Sequence, residues 1–267
     1  MMRSLGLNSV CEEAHCPNIG ECWESGTATF LIMGDMCTRN CPYCAIAHGR
    51  PEELDEVEPR RVAEMIEQLA LRHVVITSVD RDELPDGGAR IFAWTIEEIR
   101  ARLAECSVEV LTPDFSGDPD AIARVVEARP DIFNHNMETV ARLHKTARPG
   151  GRYRRSLDVL STARGLDPDV LIKTGIMLGL GEKSDDVRGF MHDALEAGVQ
   201  ILTLGQYLRP TEKHLPIDRY VGPDEFAEWK TTGEELGFLH VESGPLVRSS
   251  YHAREQVEEL RARAGIA

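Results

Sequence analysis

The stretch Phe30-Leu31-Ile32-Met33-Gly34-Asp35-Met36-Cys37-Thr38-Arg39-Asn40-Cys41-Pro42-Tyr43-Cys44 decides the fold. Its first residues are a short apolar run suited to a buried strand, and Gly34-Asp35 breaks that run. Cys37, Cys41 and Cys44 then follow in Cys-x3-Cys-x2-Cys spacing, on a loop at the carboxyl end of that strand. Three thiolates on one short loop hold three corners of a 4Fe–4S cube and leave the fourth iron without a protein ligand. Electron carriers usually supply four cysteines; a missing fourth marks a cluster that binds a small molecule, as catalytic zinc keeps one position open. A zinc site closed by His48 is the alternative left by the local spacing, and the strand-one context argues against it.

Working outward, further buried-strand patterns occur at Phe30–Gly34, His73–Ser78, Val108–Leu111, Asp131–Asn134, Val170–Ile176 and Gln200–Leu204. Helical spacing fills the intervals. In Arg60–Leu71, Val62, Met65, Ile66 and Leu69 follow i, i+3, i+4, i+7 and share one face. Thr95–Ala104, Pro119–Ala128, Glu138–Ala147, Ser156–Arg164 and Ser184–Ala197 read similarly. Six strand–helix units imply parallel strands with right-handed crossovers, hence an α/β fold, a partial (β/α)6 barrel rather than a closed eight-unit one. Function is expected at the carboxyl ends of the strands, where Asp86-Gly87-Gly88, Pro113-Asp114 and Gly179-Leu180-Gly181 punctuate the chain. The expected organisation is an N-terminal cysteine-rich segment over 1–29, the partial barrel over 30–237 and a C-terminal extension over 238–267.

Composition bounds the function. The 267 residues carry 30 basic and 45 acidic side chains, a net charge of −15. An acidic surface repels phosphate backbones, so nucleic acid is not an expected partner. No apolar run approaches the ~18 residues of a membrane helix, and Met1–Gly6 has no signal core, so a cytoplasmic protein without a membrane partner is expected. Six of the seven cysteines fall between residues 11 and 44, with Cys106 alone. An odd, clustered set in a reducing compartment points to metal or redox chemistry and away from disulfides.

Cys11, Cys16 and Cys22 form the second triplet, only 15 residues ahead of the first. It reads as a second iron–sulfur cluster, again one ligand short. A zinc knot closed by His15, or plain buried thiols, are the alternatives. Cys106 is the alternative for completing that cluster, but it sits where a helix runs into a strand, where a small buried thiol is the commoner explanation.

These features together resemble the lipoyl synthase family of the radical S-adenosylmethionine (SAM) superfamily. The resemblance covers both triplets and Thr77–Asp82, Asp86–Ala89, Pro113–Phe115, Asn134–Thr139, Gly175–Glu182, Gly205–Leu208 and Gly244–Tyr251, running in order from residue 10 to 251. It implies two 4Fe–4S clusters with SAM chelated to the open iron of the first. One electron then cleaves SAM to methionine and a 5′-deoxyadenosyl radical. It also implies insertion of sulfur at carbons 6 and 8 of an octanoyl chain carried on a lysine, making the protein a sulfurtransferase of lipoate biosynthesis. Those carbons are unactivated, so acid–base devices have no purchase on them, and the second cluster is the sulfur donor.

The same resemblance supplies site residues. The second cluster is closed by a serine of Arg248-Ser249-Ser250-Tyr251, with Ser250 favoured and Ser249 the alternative; a hard oxygen ligand leaves that corner labile. Without the resemblance, either serine reads as a cap for a helix over His252–Ala264. Thr77 and Ser78 are expected near the methionine amino group, Asn136 and Glu138 at the ribose, and Met177 and Gln206 near adenine. Turn and capping chemistry is the alternative for Asn136 and Glu138, and a glycine-rich turn for Gly175–Glu182. Lys173 reads as a strand cation or a snorkelling lysine. The implied partners are octanoylated lipoyl carrier domains (the glycine cleavage H protein and 2-oxoacid dehydrogenase E2 subunits), a reductant such as flavodoxin or ferredoxin, and an iron–sulfur carrier. A monomer is expected. Arg148, Arg152, Arg154 and Arg155 are either a solvated face or a dock for an acidic carrier domain.

Overall fold

The computed structural model describes residues 6–13, 16, 18–24 and 26–251, with 253, 256 and 260. His15 and most of the helix expected over His252–Ala264 lie outside those residues. In order, the chain forms β1 (Asn8–Ser9), α1 (Val10–Glu13), α2 (Ile19–Glu24), β2 (Thr27–Ile32), α3 (Glu58–Gln68), β3 (His73–Ser78), α4 (Ala89–Arg102), β4 (Ser107–Leu111), α5 (Pro119–Glu127) and β5 (Ile132–Asn134). Then come α6 (Ala141–Ala147), α7 (Tyr153–Leu166), β6 (Leu171–Leu178), α8 (Ser184–Glu196), β7 (Ile201–Gln206), α9 (Pro223–Leu236) and β8 (His240–Gly244).

The strands form one sheet in sequence order from β1 to β8, and the sheet does not close. The six expected parallel strands are β2 to β7. Two strands were not expected: β1, antiparallel to β2, and β8, parallel to β7. With α9, β8 adds a further helix–strand unit at the end of the sheet.

The chain divides into two compact units. The first comprises residues 1–39, 46–133 and 250–267, so far as they are described. Its core is the β-branched interior of β2, β3 and β4, with Phe30, Ile32, Val74, Ile76, Val108 and Val110 all fully buried. Against them lie Val62, Met65 and Ile66 of α3 and Phe92, Ile96 and Ile99 of α4. Leu69, expected on the α3 face, is 36% exposed; it sits at the C-cap, just past the last helical residue Gln68. Just past β2, Met33 takes a left-handed φ of 66° that turns the chain into the cysteine loop. Its N–H donates to the buried Glu58 carboxylate at 2.7 Å, and its carbonyl accepts from Arg81 at 2.9 Å. Gly88 is needed here: a Cβ on it would lie 2.4 Å from the Met33 sulfur.

The second unit comprises residues 40–45 and 134–249. Its core joins Ile172 and Leu178 of β6 and Ile201, Leu202 and Leu204 of β7 to Phe190 and Met191 of α8 and Phe226 of α9. Lys173 is fully buried within β6, so its side chain does not reach the surface.

Candidate active site

In the first unit, Cys37 follows β2. It is seated by backbone pairing, its N–H donating to Ala47 and its carbonyl accepting from Gly49, at 2.8 and 2.9 Å. His48 pairs with Cys37 through this backbone bridge and is itself exposed. The Cys37 sulfur accepts N–H groups from Asp80 at 3.3 Å and Arg39 at 3.4 Å. Burial and the nearby Asp80 push this thiol's pKa up, and the two N–H groups oppose them. Among the described residues no three His, Cys, Asp or Glu side chains form a single-ion site; a cubane instead holds each thiolate on its own iron.

Arg39, between two of the triplet cysteines, is fixed by carboxylates at the ends of β3 and β4. It makes a forked contact with Asp82 at 2.8 and 2.6 Å and reaches the fully buried Asp114 at 2.7 Å. Its hydrogen bonds hold the Asp82 carboxyl below the usual range. Asp114 immediately precedes a turn in which Phe115 and Ser116 both have positive φ, 44° and 55°, and its carboxylate also caps Ser116 N–H at 3.1 Å. At the end of β3, Thr77 Oγ1 donates to the Leu111 carbonyl at 2.8 Å. Ser78 Oγ is buried and has no hydrogen-bond partner.

Of the second triplet, Cys11 lies on α1 and Cys22 on α2, with Cys16 between them in sequence. Cys16 N–H donates to the Cys11 carbonyl and Cys22 N–H to Asn18, both at 3.0 Å. Ser9 Oγ ties Cys11 N–H (3.2 Å) to the Thr29 carbonyl (3.0 Å), anchoring the triplet to β2. The hydroxyl of Tyr251, next to Ser250, donates to the Glu21 carboxylate at 3.3 Å, one residue from Cys22. No disulfide joins any of the seven cysteines. Cys106 is buried at the α4–β4 junction, its thiol directed at the Ser107 carbonyl and its pKa pushed up to about 11 by burial.

In the second unit, Cys44 N–H closes a turn on the Cys41 carbonyl at 2.9 Å. Between them Tyr43 bonds the Glu138 carboxylate, which also accepts from the Asn136 amide and faces Arg148. Burial nevertheless raises the Glu138 pKa; burial and the facing carboxylate raise that of Tyr43. Glu138 is held in a left-handed conformation, φ 66°, by pairing with β6: its N–H donates to Gly175 and its carbonyl accepts from Met177, at 3.0 and 2.9 Å. Asn136 donates to Ser249 Oγ at 2.6 Å, while its own Oδ1 is buried and has no hydrogen-bond partner.

Met177 is half-buried near the end of β6. The Gln206 amide is committed to the following loop: it donates to the carbonyls of Tyr207 and Arg219 and accepts from Val221 N–H, at 3.0, 3.2 and 2.9 Å. Glu182 closes the glycine turn, accepting from Gly179 and Leu180 N–H at 2.7 and 2.9 Å. The basic run is split. Arg148 is buried and donates to the Asn136 carbonyl at 2.7 Å, whereas Arg154 is exposed and faces Asp158.

The sequence reading passed over Arg39 and its carboxylates and the Tyr43 contact. Two acids two residues apart directly after a strand, facing a lone arginine between cysteines, were the available signal.

An open parallel sheet with this cysteine loop after β2 defines the class, a radical SAM enzyme, and residues 31–194 match the radical SAM superfamily. Solved structures agree on the fold. Streptococcus suis SuiB bound to S-adenosylmethionine superposes with a TM-score of 0.64 at 10% identity, covering 84% of this chain and 52% of that one. Methylornithine synthase gives 0.58 at 13%, covering 73% and 56%. Sequence relatives narrow the class. A lipoyl synthase of Rubrobacter xylanophilus is 62% identical over 260 residues, 97% of this chain and 81% of the relative. One of Caldanaerobacter subterraneus subsp. tengcongensis is 54% identical over 252 residues, 94% and 88%. The chain belongs to the lipoyl synthase family.

Proposed function

We propose that this chain inserts two sulfur atoms into a protein-bound octanoyl-lysine, at carbons 6 and 8, to give the lipoyl group. As a family member it is a radical SAM sulfurtransferase working with SAM and two 4Fe–4S clusters. When bound, the first cluster supplies the electron that cleaves SAM to the hydrogen-abstracting radical, and the second supplies the sulfur.

The observation that carries the reading is the pair of triplets, each one thiol short of the usual four. Cys37, Cys41 and Cys44 are the proposed ligands of the first cluster. The buried, unsatisfied oxygens of Ser78 and Asn136 support the assignment of a polar ligand at the strand ends, because such atoms cost about 1–3 kcal/mol each when left unpaired. Ser78 and Thr77 would receive the amino group and Asn136 the ribose hydroxyls. Glu138 would orient Asn136 and hold Tyr43, Met177 would cover adenine, and Gln206 would shape the adenine edge by fixing the loop after β7.

Cys11, Cys16 and Cys22 are the proposed ligands of the second cluster, with Ser250 as the fourth. Ser250 is favoured because Tyr251 bonds beside Cys22, whereas the Ser249 hydroxyl is engaged by Asn136. The proposed organisation follows: residues 1–29 and 238–267 carry the second cluster's ligands, and 30–237 the barrel. Octanoylated lipoyl domains are the substrates, with the H protein and E2 subunits as specific carriers. Flavodoxin or ferredoxin and an iron–sulfur carrier complete the partner set, acting on a cytoplasmic monomer. Among the described residues no helix is long and apolar enough to cross a membrane.

The test is anaerobic reconstitution followed by reaction with an octanoylated carrier peptide. Two cubanes per chain, deoxyadenosine formation under dithionite and a peptide bearing two added sulfurs are expected. Deoxyadenosine without sulfur in the peptide would overturn the assigned reaction; bound zinc with no sulfide would overturn both cluster assignments.

A further inference from the structure

The irregular stretch between β7 and α9 folds back onto the turn that carries Cys41 and Cys44. His214 Nε2 lies 2.9 Å from the Cys44 carbonyl oxygen, and Leu215 N–H donates to the Pro42 carbonyl at 2.8 Å. A carbonyl only accepts, so His214 carries a proton on Nε2, and in the neutral ring Nδ1 is then an acceptor. The Thr211 hydroxyl, 2.9 Å away, donates to that Nδ1 and fixes the tautomer. The strap is braced from behind: Tyr207 Oη donates to the Leu215 carbonyl at 2.9 Å and Arg209 Nε to that of His214 at 3.0 Å. The two gripped carbonyls, of Pro42 and Cys44, flank Tyr43. The turn is therefore gripped on its carbonyl side by two hydrogen bonds from the chain itself.

We propose that His214 is a positioning residue for the first cluster: it holds the Cys41–Cys44 turn in ligand-presenting shape before iron arrives, so that cluster insertion does not have to order the loop. The inference rests on the assignment of Cys41 and Cys44 as ligands made above. Thr211 acts through it by setting which ring nitrogen donates.

The experiment uses the full-length protein without iron, reading iodoacetamide alkylation of each cysteine and hydrogen exchange of the 40–46 peptide by mass spectrometry. His214→Ala should speed alkylation of Cys41 and Cys44, and exchange of the peptide, about fivefold, the scale of one lost hydrogen bond. Cys106 should be unchanged. His214→Gln, whose amide can donate to the same carbonyl, should return the rates to within about twofold of the parent protein, a rescue that simple loss of packing would not give. In the loaded enzyme, His214→Ala should lose iron from the first cluster faster under a chelator. Equal rates in the parent and His214→Ala would overturn the proposal, as would a rise that includes Cys106 and is not rescued by glutamine. If His214→Ala does not fold, Thr211→Val carries the same readout, with a smaller rise expected and no rise overturning it. Because the thiol readout needs neither cluster nor substrate, its failure would leave the sulfur-insertion reading standing, and the reverse also holds.

Discussion

The side-chain amide of Asn136 donates a 2.6 Å hydrogen bond to the hydroxyl of Ser249, leaving its own oxygen buried and unsatisfied. The two adjacent serines thus face different duties: Ser249 orients a proposed ribose contact, and Ser250 is the proposed ligand. Ser250→Ala should abolish sulfur insertion and loosen about half of the bound iron while leaving reductive SAM cleavage. Ser249→Ala should keep both clusters and raise the Michaelis constant for SAM a few-fold, the scale of one hydrogen bond worth about 1 kcal/mol. Iron analysis with separate assays of deoxyadenosine and lipoyl product checks both. Reversal of the two phenotypes would move the ligand to Ser249.

Arg39 is 7% exposed and its partner Asp114 fully buried. Arg39→Met would take the buried guanidinium away from that carboxylate, a loss of about 3–5 kcal/mol for a broken buried pair. Arg39→Lys keeps the charge but loses the fork that spans Asp82, and should cost less than half as much. Urea unfolding of the iron-free protein measures both. Equal, small losses would show that the guanidinium is solvated and that the loop is held by other means.

The parts of this fold visible in sequence are those with local signals. β2 to β7 are β-branched runs buried on both faces, and each triplet announces itself by spacing. β8 escaped because only Val241 of its five residues is buried, which leaves no apolar run to see. α9 carried Pro223 at its start and Gly237 just past its end, but its acidic exposed face hid a thin apolar stripe of Phe226 and Trp229. The Arg39–Asp114 pair joins residues 75 apart, and the His214–Cys44 contact residues 170 apart. Such contacts depend on which loops the strand ends bring together, and no periodicity encodes that. Arg148 looked like the head of a surface run, yet the carbonyl of Asn136 draws it inward.

Glu58 gives a pH prediction. Burial raises its pKa above the ordinary value near 4.5, with Asp55 adding to the rise and the Met33 N–H opposing it. A folded-state pKa above the unfolded one means that folding favours the protonated acid. That stabilisation is complete below the unfolded value and disappears as pH rises through the folded value. Glu58→Gln keeps an acceptor for Met33 and removes the charge, so its stability relative to the parent should increase from pH 4.5 toward pH 8. Denaturation of the iron-free proteins across that range decides it; a constant difference would show that the carboxylate is not desolvated.

Two glycines on neighbouring strands should respond unequally to the same added methyl group. A Cβ on Gly205 would stand 2.2 Å from the backbone carbonyl oxygen of Val247, and one on Gly175 would stand 2.2 Å from Thr203 Oγ1. The threonine hydroxyl can rotate away, at the loss of its contact with the Thr174 carbonyl, whereas the Val247 carbonyl cannot move without carrying the chain toward Ser249. Gly205→Ala should therefore cost about 2–3 kcal/mol and Gly175→Ala about 1–2 kcal/mol, the range for overpacking. Because Ser249 lies two residues beyond Val247, Gly205→Ala should also weaken SAM binding more than Gly175→Ala does. Calorimetry with SAM on the reconstituted enzyme, alongside thermal unfolding, separates the two effects. If Gly175→Ala proves the more damaging in both, the backbone approach at Gly205 is not what fixes the segment carrying Ser249.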